Sequence, residues 1–186
     1  QRQMCIRDRN YVDVTYYTSD DALEQATAPL YNRAWFDLNS RAIVPLGSNR
    51  ANDNFSRWGA PEFTNFKVTA LSENLANAWT GFYSVITMAN AVISDVQTKC
   101  SNSVSERAKR TAIAEARLMR AEALLKMKQY KETMEDIDAV LAQNPEEETA
   151  ILLRGKVKEA NGQEEEAEAD YQLVTEVNLF NEQAYL

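Results

Sequence analysis

Apolar residues recur at helical spacing in most segments long enough to show a period. Leu23, Ala26, Leu30 and Ala34 trace one stripe, which predicts a helix from an N-cap at Thr18 or Ser19 to about Leu38, with Asp20 and Asp21 in its first turn and a kink at Pro29. A broader stripe of Leu75, Trp79, Phe82, Tyr83, Ile86, Ala89, Val92 and Ile93 predicts a long buried helix, capped by Ser72 and ending near Val96. After the polar linker 98–103, Ser105 and Glu106 provide a third helix start. Ile113, Ala116, Ala121, Leu124 and Leu125 continue that helix to about residue 128, antiparallel to its predecessor. Residues 11–17, YVDVTYY, alternate instead, as a short strand or an extended arm would.

Residues 39–69 break the helical pattern. They are rich in Asn, Ser, Gly and Pro, yet carry Phe55, Trp58, Phe63 and Phe66. A loop of this length in a compact domain is usually functional or disordered, and the aromatic side chains argue for the former.

Charge divides the chain. Up to Cys100 there are 9 Lys/Arg against 10 Asp/Glu; beyond it there are 11 against 18, so the overall charge of −8 is carried mainly by the second part. Aromatics divide the same way, with 13 of the 17 before residue 100. An acidic chain without a basic cluster does not suit nucleic acid, whose phosphates must be neutralised. No histidine is present, which removes the commonest general base and zinc ligand and excludes Ser-His-Asp triads and HExxH sites. Cys5 and Cys100 are too few for a disulfide framework or a thiolate metal site. No apolar run reaches the roughly 18 residues of a membrane-spanning helix. No cofactor, metal site or catalytic residue is expected.

The second part repeats with a period of 34. Arg120 recurs as Arg154, Ala121 as Gly155, Asp136 as Asp170, Ile137 as Tyr171, Val140 as Val174 and Asn144 as Asn178. This length and the small residues Ala121, Gly155 and Ala167 resemble tetratricopeptide repeats over about 114–186. In such arrays each helix pair leaves an apolar side for its neighbour to cover. The resemblance implies a concave face bearing Glu122, Lys126, Lys156 and Glu159, suited to a peptide or protein partner. Glu146, Glu147, Glu148 and Glu164, Glu165, Glu166 read as solvated helix starts rather than cation ligands. Asp136 and Asp138 are likewise expected to be exposed.

The first part carries a second resemblance. WTGFYSVITMANAVI at 79–93, followed after a polar linker by AIAEARLMRAEA, resembles the amino-terminal part of the SusD/RagB family of nutrient-binding outer-membrane lipoproteins, over about 11–121. PLYNRAWF and the loop holding Asn52, Asp53 and Asn54 fit the same pattern. This resemblance implies a surface-exposed, non-catalytic protein that captures oligosaccharide for a TonB-dependent SusC-like transporter. Sugar recognition needs an aromatic face for C–H groups and planar amide, carboxylate or guanidinium groups for hydroxyls. Arg50, Asn52, Asp53 and Trp58 supply that mixture. Where the family continues as an aromatic-rich helix toward a Gly-Pro turn, this chain enters its 34-residue repeat instead.

The expected fold is therefore all-α: helical hairpins stacked as a tetratricopeptide-like right-handed solenoid, with a long aromatic-containing loop in the N-terminal half. Residues 1–10 read as a leader foreign to that fold, with no apolar region before Cys5 such as a lipid-bearing cysteine needs. Residues 11–121 form the SusD-like segment and 105–186 the repeats, sharing a helix over about 105–128. Three functional readings follow: nutrient binding, a protein-interaction scaffold, or a chimera of the two with no single function.

Overall fold

The computed structural model describes residues 16–31 and 61–178. Among these residues every regular element is helical, and the helices stack as hairpins, the all-α architecture expected from the periodicity. We number the α-helices α1 (Asp20–Thr27), α2 (Pro61–Thr64), α3 (Glu73–Lys99), α4 (Glu106–Lys126), α5 (Tyr130–Leu141), α6 (Glu148–Ala160) and α7 (Glu164–Val177).

α1 starts as predicted, Ser19 Oγ accepting the Ala22 amide at 3.3 Å. Its geometry changes at Pro29, where the kink is expected, and the rest of the expected helix, from residue 32 to about Leu38, lies outside the described residues. The α-helix stops at Thr27 and tightens into a 3-10 turn over Ala28–Tyr31, because Pro29 offers no N–H to the preceding turn and its ring crowds that turn's carbonyl. The chain before α1 is tied to the loop between α3 and α4. The Ser101 amide donates to the Tyr17 carbonyl at 2.9 Å, and Ser103 Oγ donates to the Thr18 carbonyl at 2.7 Å. Asp20 accepts from both the amide and the hydroxyl of Ser105, each at 2.8 Å; these bonds hold its carboxyl below the usual aspartate value. Of the expected strand or arm at 11–17, only Tyr16 and Tyr17 lie within the described residues. Tyr17 is buried with its hydroxyl on Asp95 at 3.2 Å, and burial followed by the Asp95 charge pushes its phenol up to about 12.

Part of the expected loop 39–69 is ordered into helix. α2 buries Phe63, and two residues past its end Phe66 adopts φ 56° and stays exposed. Ser72 stands at the start of α3, but its Oγ accepts the Thr69 amide at 3.1 Å rather than an amide of α3. The expected side-chain cap is thus spent on the preceding turn. The buried face of α3 comprises Ala78, Gly81, Phe82, Val85, Ala89, Val92, Ile93 and Val96. Trp79 and Tyr83, expected inside, are about half exposed, their rings edge to face at 6.0 Å. Each sits one 100° step beyond a buried neighbour, at the margin of the face that α1 and α4 pack against among the described residues. α4 begins as predicted, with Ser105 Oγ accepting the Ala108 amide at 3.1 Å.

One core joins α1, α3 and α4 through Leu23, Leu30, Val85, Ala89, Ala112 and Ala116. Leu23 and Leu30 are almost fully buried, each contributing about 1.5–3 kcal/mol toward holding the N-terminal segment in place. A second core joins α4, α5 and α6 through Ala121, Ile137, Val140, Ala150, Leu153 and Val157. α4 therefore packs on both sides, and its alanines let the neighbouring helices approach closely.

The 34-residue recurrence is visible in the backbone. Between α4 and α5 the amides of Lys128 and Gln129 donate to the carbonyls of Leu125 and Leu124; between α6 and α7, those of Gly162 and Gln163 donate to Glu159 and Lys158. Both hairpins turn through a left-handed residue at the same repeat position, Lys128 at φ 60° and Gly162 at φ 77°. A side chain is strained there and glycine is not. Lys128→Gly should raise stability by about 0.5–1 kcal/mol, the relief of strain outweighing the added freedom of the unfolded chain. Chemical denaturation of the two proteins will measure it.

Candidate functional site

The four residues expected on the concave face come from α4 and α6. Lys156 is half-buried. Burial, followed by the Lys126 charge, holds its ammonium below the ordinary lysine value, against the opposing pull of Glu122 and Glu159. Glu122, Lys126 and Glu159 thus each lie within electrostatic reach of Lys156. Glu159 is further fixed from α7, accepting the Tyr171 hydroxyl at 2.6 Å. Two cations interleaved with two carboxylates, on helices rather than loops, can bind a polar chain through ion pairs and hydrogen bonds.

Asp136, expected to be exposed, is buried; Asp138 is exposed as expected. Thr133, Asp136, Ile137 and Val140 recur at three- and four-residue steps, so Asp136 lies on the inner face of α5. It is met there by Arg120 through Nε at 2.7 Å and Nη2 at 2.5 Å, and by Arg117 Nη1 at 3.0 Å. Arg120 Nη1 also donates to Asn90 on α3. One repeat later, Arg154 meets Asp170 with Nε at 3.0 Å and Nη2 at 2.7 Å, and Lys158 reaches it at 2.8 Å. These clusters hold α4 to α5 and α6 to α7.

Burial alone would raise the Asp170 carboxyl, but the Arg154 and Lys158 hydrogen bonds outweigh it and hold the group below the usual aspartate range. The folded group therefore titrates below its unfolded counterpart. Its stabilisation is complete above the unfolded value of about 3.9 and is lost as the pH falls through the folded one. Acid titration of unfolding should show stability dropping below about pH 4, with a shallower drop in Asp170→Asn.

A groove that the sequence did not announce lies where α4 faces the end of α5 and the start of α6. It has a volume of about 890 Å3. Leu118, Met119 and Val140 line its apolar part, and Arg110, Gln143 and Glu147 stand among its polar groups. Tyr31 closes one side, half exposed, with its hydroxyl donating to Glu115 Oε1 at 2.5 Å. Burial, then that bond, pushes its phenol well above the ordinary tyrosine value. Asn144 Nδ2 donates to Glu147 Oε2 at 3.0 Å and so orients that carboxylate. The contact between Tyr31 and Glu115 spans 84 residues, and no local pattern marks it.

The expected sugar-contacting residues Arg50, Asn52, Asp53 and Trp58 lie outside the described residues. Among the described residues there is no group of three or more His, Cys, Asp or Glu placed to hold a metal ion, and no helix long and apolar enough to cross a membrane.

No protein-family model matches the chain. Over 112 residues, 60% of its length, the chain is 70% identical to a SusD-like protein of Bacteroides ovatus, of which the match covers 20%. It is thus a homologue of a SusD-like protein over that stretch. A solved crystal structure is similar to 87% of the chain, with a TM-score of 0.70 and 41% sequence identity, and the chain covers 41% of that solved chain. The chain therefore spans about a fifth of the length of its curated relative and about two fifths of the solved one.

Proposed function

We propose that the chain is part of a non-catalytic, nutrient-binding component of a SusD-like uptake system, holding an oligosaccharide for a TonB-dependent SusC-like transporter at the surface of the outer membrane. The observation that carries this reading is the 70% identity over 112 residues to a SusD-like protein. Arg50, Asn52, Asp53 and Trp58 are assigned to the ligand, Trp58 by stacking and the others by hydrogen bonds to hydroxyls. Titrating the chain with oligosaccharides and following tryptophan fluorescence tests the assignment. A saturable change that disappears in Trp58→Ala is the expected result. A flat response, or a Trp58→Ala protein indistinguishable from the parent, would count against it.

A second reading draws support from a separate observation. The Arg–Asp fork and the left-handed turn recur one 34-residue period apart, as in a tetratricopeptide scaffold that offers Glu122, Lys126, Lys156 and Glu159 to a peptide or protein. Both readings can hold in one molecule. Continuous packing on the two sides of α4 and the 87% coverage by one solved chain support taking the two halves as one unit rather than a chimera. A charge-reversed Lys126→Glu/Lys156→Glu protein that loses a protein partner while retaining oligosaccharide binding would separate the scaffold role from the nutrient role.

A further inference from the structure

We propose that the groove between α4, α5 and α6 is a second saccharide subsite, for one neutral sugar unit stacked on Tyr31. The inference rests on the reading of the chain as an oligosaccharide binder and adds to it a place and a charge class. A pyranose presents an apolar C–H face and a rim of hydroxyls, so its site needs an aromatic or aliphatic surface on one side and fixed polar groups around the edge. The groove has both. Tyr31 lines one wall, half exposed, and the bond from its hydroxyl to Glu115 restrains the ring. Leu118 and Met119, both partly exposed, provide the apolar part, over Val140 in the core.

The edge carries Gln143, Glu147 and Arg110, an amide, a carboxylate and a guanidinium. Among them they can accept from and donate to adjacent hydroxyls. Glu147 is oriented in advance by Asn144, so little order is lost on binding. The volume of about 890 Å3 falls within the roughly 300–1,000 Å3 of small-ligand sites. Glu115 and Glu147 against Arg110 leave the lining negative by one charge. A neutral sugar is accepted there, and a uronic acid is repelled.

The test is calorimetric titration of the whole chain with neutral hexasaccharides (maltohexaose, cellohexaose, mannohexaose and xylohexaose) and with acidic hexagalacturonate. Parent protein is expected to bind at least one neutral sugar and not the acidic one. Tyr31→Ala is expected to weaken that binding about tenfold, whereas Tyr31→Phe, which retains the ring, stays within about threefold. Glu147→Gln/Gln143→Ala, at the partly exposed edge, loses about tenfold while retaining its helical content.

If the parent binds a neutral sugar and both Tyr31→Ala and the edge variant bind it as tightly, the groove is not a subsite, although the oligosaccharide reading stands. Binding of hexagalacturonate alone overturns the assigned charge class. A parent that binds none of the five overturns the oligosaccharide reading and this subsite together.

Discussion

Asp136→Ala will lower the unfolding free energy by about 3 kcal/mol, and the unfolding midpoint by about 6–12 °C. The carboxylate is buried to 2% exposure and is the common acceptor for Arg117 and Arg120. Removing it leaves two guanidinium groups one turn apart on α4, facing α5 with no anion to receive them. Breaking a buried pair on one side costs about 3–5 kcal/mol. The lower end applies because the two arginine side chains retain 23% and 22% exposure and can recover part of their hydration. Arg117 Nε, already buried without a hydrogen-bond partner among the described residues, adds to the penalty.

Arg120 also reaches Asn90, so the loss should loosen α3 against α4 as well as α4 against α5. Hydrogen exchange will show it as faster opening in both hairpins. The internal control is Asp138→Ala: that carboxylate lies on the exposed side of the same helix, and the change should stay within about 0.5 kcal/mol. Equal losses at the two positions would mean that the buried ion cluster contributes nothing beyond generic helix stability.

The contrast between Asp136 and Asp138 also marks how far the fold was legible in the sequence. Apolar period and cap chemistry are local, so the starts of α1 and α4 at Ser19 and Ser105 could be read directly, as could the 34-residue recurrence and the small residues at its helix contacts. Whether a charged residue points inward is not local. Asp136 reads as one more acid in an acidic segment until Arg120 is brought to it, although its recurrence at Asp170, each with an arginine sixteen residues earlier, was a usable signal. Trp79 and Tyr83 failed for the opposite reason. Composition marks an aromatic as core, whereas only the number of helices covering α3 decides which of its sides is inside. Ser72 could cap in either direction, and the choice was made by the Thr69 turn. The groove beside Tyr31 joins residues from four separate stretches and has no signature in any of them.

Gly155→Ala will destabilise the chain by about 1 kcal/mol, although alanine is the better helix former by about the same amount. A Cβ at Gly155 would lie 2.6 Å from Cε1 and 2.9 Å from Cδ1 of Tyr171. That ring cannot swing away cheaply, since its hydroxyl is held by Glu159 at 2.6 Å and its base is fixed in α7. Overpacking of this kind costs about 1–3 kcal/mol, which exceeds the gain in propensity.

The first repeat unit shows how the same contact is made otherwise: Ala121 stands where Gly155 stands, and Ile137 where Tyr171 stands, both fully buried. A larger residue on one helix is matched by a smaller one on the other. The double variant Gly155→Ala/Tyr171→Ile rebuilds the first unit's pair in the second and should return to within about 0.5 kcal/mol of the parent, even though Tyr171→Ile alone loses the bond to Glu159 and leaves a gap over the glycine. The coupling between the two positions, read from urea unfolding of the four proteins, should therefore be favourable by about 1–2 kcal/mol. Additive losses would show that the ring accommodates the methyl by moving, and that size matching across the hairpin does not govern which small residue the repeat requires.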